Sequence, residues 1–316
     1  MSRSGFGRFA PSPSGVMHFG NLRTAVAAYL FAKSSGREFL VRIEDIDTGR
    51  SRPGFAAQAL EDLTALGLQS DERVVYQSQR HELYQAALER LVQNGLVYEC
   101  YCSRADIAAA ASAPHGKPGI YPGSCRDLSD CERVEKRAAL AAQGRKPALR
   151  LRAPQGMEYT VHDSLLGPLT GLLHDFVLRR TDGDWAYQLV VVVDDMNQGV
   201  DQIVRGADLA SSAPVQAWLT ESLGGRPATY AHVPLVLNAQ GQRLAKRDKS
   251  VTRPELNALG WSDQQILLRV LETLGWPTAK TDATKLLTRP TKEILTQAAA
   301  TWRPENLPPS PLIFHP

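Results

Sequence analysis

Gly7-Arg8-Phe9-Ala10-Pro11-Ser12-Pro13-Ser14-Gly15-Val16-Met17-His18-Phe19-Gly20-Asn21-Leu22-Arg23-Thr24-Ala25 decides the fold. Residues 6–9 make a short strand. The Pro, Ser and Gly that follow cannot be helical, so a loop comes next. Beyond the loop, Leu22, Ala25, Val26, Tyr29 and Leu30 recur at helical spacing and form one apolar face. A strand, a Gly-containing loop and a helix are how an α/β protein aims free backbone N–H groups at an anion. His18 and Asn21 stand three apart at the helix start, so both side chains can face one ligand. The stretch therefore reads as a phosphate site with a protonatable ring beside it. The bland alternative is a plain strand–loop–helix with a satisfied histidine. The overlapping Gly5-Phe6-Gly7-Arg8-Phe9-Ala10 fits the dinucleotide fingerprint G-x-G-x-x-A. That pattern must open a helix directly, and Pro11 and Pro13 follow it, which argues against an NAD site.

At 316 residues the chain suits two domains, or one α/β domain carrying an insertion. Its net charge of +3 is too small to advertise nucleic-acid binding, so any RNA contact must come from local patches such as Arg243, Lys246, Arg247 and Lys249. The longest apolar run, residues 189–193, is far too short to span a membrane, and no cationic-plus-apolar leader is visible. A cytoplasmic protein is expected.

Residues 38–47 read as a strand ending in acids. Open parallel sheets bind ligands at the carboxyl ends of their strands, which places Glu44, Asp45 and Asp47 near any pocket. Asp47 could equally cap the helix expected over 53–66. That helix and the next, 80–94, carry apolar stripes that belong to the core. Residues 97–175 contain all four cysteines, Cys100, Cys102, Cys125 and Cys131. In a cytosolic chain such a cluster speaks for a metal more than for disulfides, and Cys-x-Cys suits a soft tetrahedral ion such as zinc. From residue 175 the chain returns to sheet-forming sequence. A strand at 176–180 precedes a turn and a buried element at 185–195 ending in Asp194 and Asp195. A strand at 200–204 then delivers Arg205-Gly206-Ala207-Asp208 into a helix over 209–223. Asp208 reads as that helix's cap. Arg205, at a strand end, suits a carboxylate substrate. A strand at 232–237 leads to Gly241-Gln242-Arg243-Leu244-Ala245-Lys246-Arg247-Asp248, a basic loop. The remainder reads as helical near 263–274 and then Pro-rich and irregular.

Several of these stretches resemble class I aminoacyl-tRNA synthetases. Residues 13–21 are similar to the His-Ile-Gly-His signature, with Asn21 where the motif ends in His. Arg8-Phe9-Ala10-Pro11-Ser12-Pro13 is similar to the glutamyl branch in particular. So are Arg42-Ile43-Glu44-Asp45-Ile46-Asp47, the stretch 186–195 and Ile203-Val204-Arg205-Gly206-Ala207-Asp208. The basic loop resembles the second signature, Lys-Met-Ser-Lys. There Arg243 replaces the first Lys and Ala245 the Ser, while Lys246 keeps the last position. The resemblance covers about the first 250 residues.

The resemblance implies an α/β fold: a Rossmann-like, doubly wound parallel sheet from residues 1–96 and 176–250. It also implies a zinc-containing acceptor-type insert over 97–175 and a short helical C-terminal region over 251–316 with no anticodon-binding domain. The implied activity is ATP-dependent formation of glutamyl-adenylate without tRNA. ATP, with Mg2+, would lie against His18, Gly20, Asn21 and Lys246, with His18 and Lys246 catalytic. L-glutamate would lie against Arg8, Phe9, Ala10, Pro11, Ser12, Glu44, Tyr187 and Arg205. One zinc per chain would be held by Cys100, Cys102, Tyr121 and Cys125, with Cys131 competing for the fourth place. In short relatives of this branch the acceptor is queuosine at the wobble position of tRNA(Asp), so the implied partner is that anticodon arm, gripped by a monomer away from any membrane. Two alternatives stay open: a nucleotidyltransferase for another small acid, and a non-catalytic paralogue favoured by Arg243 and Ala245.

Overall fold

A computed structural model of the chain describes residues 5–103, 105–107, 121–242, 244, 252–277 and 283–314. Strand β1 (Phe6–Phe9) is buried along its whole length, as a central strand covered on both faces must be. It pairs in parallel with β2 (Glu38–Ile43) on one side and β9 (Val200–Gly206) on the other. The main sheet has seven strands, in the order β3 (Val75–Tyr76), β2, β1, β9, β10 (Thr229–Val233), β6 (Glu158–Asp163) and β7 (Gly167–Leu172). Every pairing is parallel except the β6–β7 hairpin at one edge, so the sheet is mixed where a parallel one was expected.

Alternate residues of the strands serve opposite cores. Phe39, Val41, Val204 and Ala231 face helix α1 (Phe19–Ser34). Leu40, Ile203 and Tyr230 face Ala213 and Ala217 of α6 (Ala213–Ser222). The sheet is thus covered by helices on both sides, the Rossmann-like arrangement. Gly7 is needed for the first of these packings. A Cβ there would stand 2.8 Å from the Cβ of Ala32, so a larger residue would push α1 off the sheet.

Helix α1 is buried on more than the single face its spacing suggests. Its outer side packs against α8 (Asp263–Thr273) and α10 (Thr291–Thr301), and Phe31 meets Trp302 edge-on with ring centroids 5.0 Å apart. A helix that is apolar nearly all round must be enclosed, and the C-terminal helices enclose it. The segment expected to be irregular after residue 274 therefore contains α10. Its Ile294, Leu295 and Ala298 enter the α1 core, and its prolines, Pro290 and Pro304, stand outside the helix where they do not break it.

Within 97–175 the chain divides between two sheets. β4 (Val97–Cys100), β5 (Ala148–Leu151) and β8 (Val177–Arg179) form a separate antiparallel sheet beside α4 (Asp130–Ala141). The β6–β7 hairpin joins the main sheet instead, because Val161 completes the core made by Phe6, Leu40 and Ile203. The buried element at 185–195 is a helix, α5 (Tyr187–Asn197). Its valines are enclosed on all sides, and that burial outweighs their preference for strands. Among the described residues no helix is long and apolar enough to cross a membrane.

Candidate active site

The first strand, its neighbours and the start of α1 converge on a cavity of about 430 Å³. It opens at the carboxyl ends of β1 and β9, where the chain order reverses and an α/β sheet leaves its crevice. Arg8, Phe9, Ala10, Pro11 and Ser12 line it from the end of β1 and the loop beyond. His18, Gly20 and Asn21 line it from the start of α1, Glu44 from beyond β2, Tyr187 from the start of α5, and Arg205 from β9. Lys246 lies outside the described residues, as do Arg243, Ala245, Arg247 and Lys249. Leu244 and Val236 form the wall on that side.

His18 occupies the N-cap of α1 in extended conformation. Its backbone N–H donates to Asn21 Oδ1 at 3.1 Å, so the Asn21 oxygen supports the helix start as well as lining the cavity. A Cβ on Gly20 would stand 3.0 Å from the His18 ring, so any larger residue would crowd the imidazole. No acidic residue sits in the first turn of α1, so the positive end of the helix faces the cavity without a counter-charge of its own. Phosphate oxygens fit that environment.

The other end of the cavity is a buried ion network. Arg8 donates to both oxygens of Asp195, at 3.1 and 3.2 Å. Arg42 donates to Asp195 at 2.7 Å, to Gln198 Oε1 at 2.8 Å and to Glu44 at 3.1 Å. Burial pushes the Glu44 carboxyl above its usual range, and Arg42 and Arg8 only partly offset that. Burial pushes Asp195 the same way, but Arg42 and Arg8 outweigh it and hold that carboxyl low. Neither Asp195 nor Arg42 emerges from the sequence as a site residue. The available signal is the Arg-x-Glu spacing at 42 and 44, which puts both side chains on one face of a strand. The neighbouring acids turn elsewhere. Asp45 accepts from the Ser78 N–H and hydroxyl, at 2.9 and 2.7 Å. Asp47 pairs with Arg50 at 2.7 Å, while the N-cap of α2 (Pro53–Ala65) is Arg52.

Arg205 is 5% exposed. Its Nε donates to His232 Nε2 at 3.0 Å, one Nη to Gln216 Oε1 at 2.7 Å, and the other Nη to the Leu209 carbonyl at 3.2 Å. Burial lowers its pKa from the usual arginine value. Asp208 does not cap the following helix. It lies in the first turn of a 3-10 segment, Ala207–Ser212, and lines the cavity.

The cysteines form a second centre. The sulfurs of Cys100, Cys102 and Cys125 lie within 4.8 Å of one another, with Cys102 and Cys125 at 3.4 Å. The Tyr121 hydroxyl stands 3.4 Å from Cys100 and 3.6 Å from Cys102. A tetrahedral zinc with Zn–S bonds of about 2.3 Å spaces its sulfurs about 3.8 Å apart, so this donor set fits such an ion. Cys131 is exposed on α4 and lies outside the group.

Residues 6–302 match the family described as tRNA synthetases class I (E and Q), catalytic domain. The chain is 52% identical over 310 residues to a glutamyl-Q tRNA(Asp) synthetase of Nocardia farcinica, covering 98% of this chain and 93% of that protein. A protein of the same name from Symbiobacterium thermophilum is 46% identical over 275 residues, covering 83% and 84%. The fold is also similar to a glutamate tRNA ligase from Elizabethkingia meningosepticum, solved in complex with its amino acid. That likeness has a TM-score of 0.80 at 24% identity, over 99% of this chain and 67% of that one.

Proposed function

Since the chain belongs to the class I tRNA synthetases of the glutamate and glutamine (E and Q) branch, and is therefore a ligase, we propose that it activates L-glutamate with ATP and transfers it to queuosine in the anticodon arm of tRNA(Asp). One observation carries the first half. A single cavity gathers two buried guanidinium groups, Arg8 and Arg205, a buried carboxyl, Glu44, and the uncompensated N-terminus of α1 with His18. Glutamate carries two carboxylates and one ammonium, and these are the complementary charges beside a phosphate anchor.

In the proposed reaction an α-carboxylate oxygen of glutamate attacks the α-phosphorus of ATP. A new P–O bond forms as the bond to the β-phosphate oxygen breaks, and pyrophosphate leaves. No side-chain nucleophile is needed, so catalysis rests on positioning and on stabilising phosphate charge. His18, the Gly20 N–H and the side-chain amide of Asn21 hold the α-phosphate, Lys246 the departing pyrophosphate, and Mg2+ accompanies ATP. Arg8, Ser12 and Arg205 receive the carboxylates, against a wall formed by Phe9, Ala10 and Pro11. Glu44 and Tyr187 receive the ammonium group, which stabilises the ionised Glu44 that burial alone disfavours. Cys100, Cys102, Tyr121 and Cys125 would hold the zinc, whose role there would be to tie the end of β4 to the segment at 121–125.

The acceptor reading is supported by the names of the relatives at 52% and 46% identity. It is also chemically consistent, because the cis-diol of queuosine's cyclopentene ring resembles the ribose diol that synthetases ordinarily esterify. The test is glutamate-dependent exchange of pyrophosphate into ATP without tRNA, followed by labelling of tRNA(Asp) with and without queuosine. Alkali-labile glutamate on the queuosine-containing tRNA alone is expected. Equal labelling of both preparations, or exchange driven equally by other amino acids, rejects the proposal.

A further inference from the structure

We propose that Asp163 and His232 act as a positioning pair for Arg205, with Asp163 selecting the His232 tautomer whose bare Nε2 accepts the Arg205 Nε–H. This rests on the reading of Arg205 as a contact for a glutamate carboxylate. An arginine has five N–H donors and no acceptor, so the atom 3.0 Å from its Nε must be an acceptor. His232 Nε2 is therefore unprotonated, and its ring proton sits on Nδ1. That nitrogen lies 2.6 Å from Asp163 Oδ2. The carboxylate is itself fixed. Asp163 Oδ2 also accepts the His232 backbone N–H at 3.0 Å, and Oδ1 accepts the N–H groups of Leu165 and Leu166, both at 2.9 Å. Asp163 and His232 are 1% and 0% exposed, so water cannot replace either bond.

The pair explains two features of the fold. β6 enters the main sheet beside β10 in the register Tyr230↔Asp163, which brings the carboxylate under the ring. All three acceptors around Arg205 are neutral, so its guanidinium is held by direction while its charge remains for a ligand. Arg8 differs, since its Nε and one Nη are already paired with the Asp195 carboxylate, which leaves its other Nη for a ligand. In the other tautomer two N–H groups would face each other across 3.0 Å, and Arg205 would have to turn away.

The tautomer can be read without substrate. In protein labelled with ¹⁵N-histidine, the His232 signals, identified by their loss in His232→Gln, should be those of a neutral ring protonated at Nδ1. A ring protonated at Nε2, or a charged ring at neutral pH, overturns the proposal. Exchange kinetics give the second readout. His232→Phe keeps a flat ring against Tyr230 but removes the acceptor. It should raise KM for glutamate about ten- to a hundredfold, as expected for one lost bond to a charged group. KM for ATP and kcat should stay within about threefold, less than one such bond changes. His232→Gln, whose Oε1 can accept from Arg205, should recover most of the loss. An unchanged glutamate KM in His232→Phe, or a glutamine variant as impaired as the phenylalanine one, overturns it too. Absence of glutamate-dependent exchange in the wild type would count against the proposed function alone, because the spectrum decides the tautomer independently.

Discussion

Replacing Asp195 by asparagine tests whether one carboxylate holds the cationic end of the cavity together. Asp195 is 6% exposed and accepts two hydrogen bonds from Arg8 and one from Arg42. Without its charge, Arg42 keeps Glu44 at 3.1 Å and has Asp194 at 3.7 Å. Arg8 keeps no other ion pair among the described residues. Removing one partner of a buried pair costs about 3–5 kcal/mol. The asparagine oxygen preserves one acceptor and Arg8 borders the cavity, so the lower end applies, about 3 kcal/mol. With an unfolding entropy of roughly 2.1 cal/mol/K per residue, that lowers Tm by about 4–5 °C. The pH dependence has a definite sign. Asp195 is held below its ordinary value in the folded state, so its contribution is complete above the unfolded carboxylate's pKa, about 3.9, and is lost as pH falls through the folded value. Urea unfolding should show a gap between wild type and Asp195→Asn that is constant from about pH 5 to 8 and narrows below about pH 4. A variant within about 1 kcal/mol of wild type at neutral pH, or a gap that persists undiminished in acid, refutes the reasoning.

Glu44 carries the opposite sign. Its folded pKa is raised, so the stability linked to it is present below the unfolded value and lost as pH rises. Glu44→Gln should therefore leave stability at neutral pH within about 1 kcal/mol of wild type by urea unfolding. Its exchange assays should show glutamate affinity weakened by about 2–5 kcal/mol. Metal analysis should find one zinc per chain, lost in Cys102→Ser and retained in Cys131→Ser; the reverse pattern would move the fourth ligand to Cys131. Lys246→Ala should slow glutamate-dependent pyrophosphate exchange by roughly 10²–10³ with little change in glutamate KM, the scale of one preorganised charge-stabilising donor. Unimpaired exchange would make the basic loop a bystander.

Most of the cavity was legible because its residues belong to contiguous stretches at strand ends. Glu44 and Arg205 each follow an apolar run whose direction is visible in the sequence, His18 and Asn21 open the helix beyond the Pro/Ser/Gly loop, and Arg8 to Ser12 are legible through the resemblance. The partners that aim them were not legible. Asp195 lies 187 positions from Arg8, and His232 lies 27 from Arg205; both contacts depend on which elements become neighbours. Periodicity gives the face of a strand and says nothing of its neighbour. The same gap hid the β6–β7 hairpin in the main sheet. Burial hid two helices: the valines of α5 read equally well as part of a sheet, and prolines outside α10 made that segment look irregular. Adjacent acids were misleading for a different reason. Asp194 and Asp195 look like one feature, but successive residues on a helix point about 100° apart. Asp195 consequently meets Arg8 and Arg42 at the cavity. Asp194 lies 3.7 Å from Arg42 on the side away from Arg8, accepting from Arg80 at 2.7 Å, Gln77 at 2.9 Å and the Tyr84 hydroxyl at 3.0 Å. One helical step thus anchors α5 to α3 (His81–Gln93) with one acid and sets the charge of the cavity with the other. The consequence is a separation of roles: loss of Asp194 should loosen the packing of α5 on α3, while loss of Asp195 should act first on Arg8.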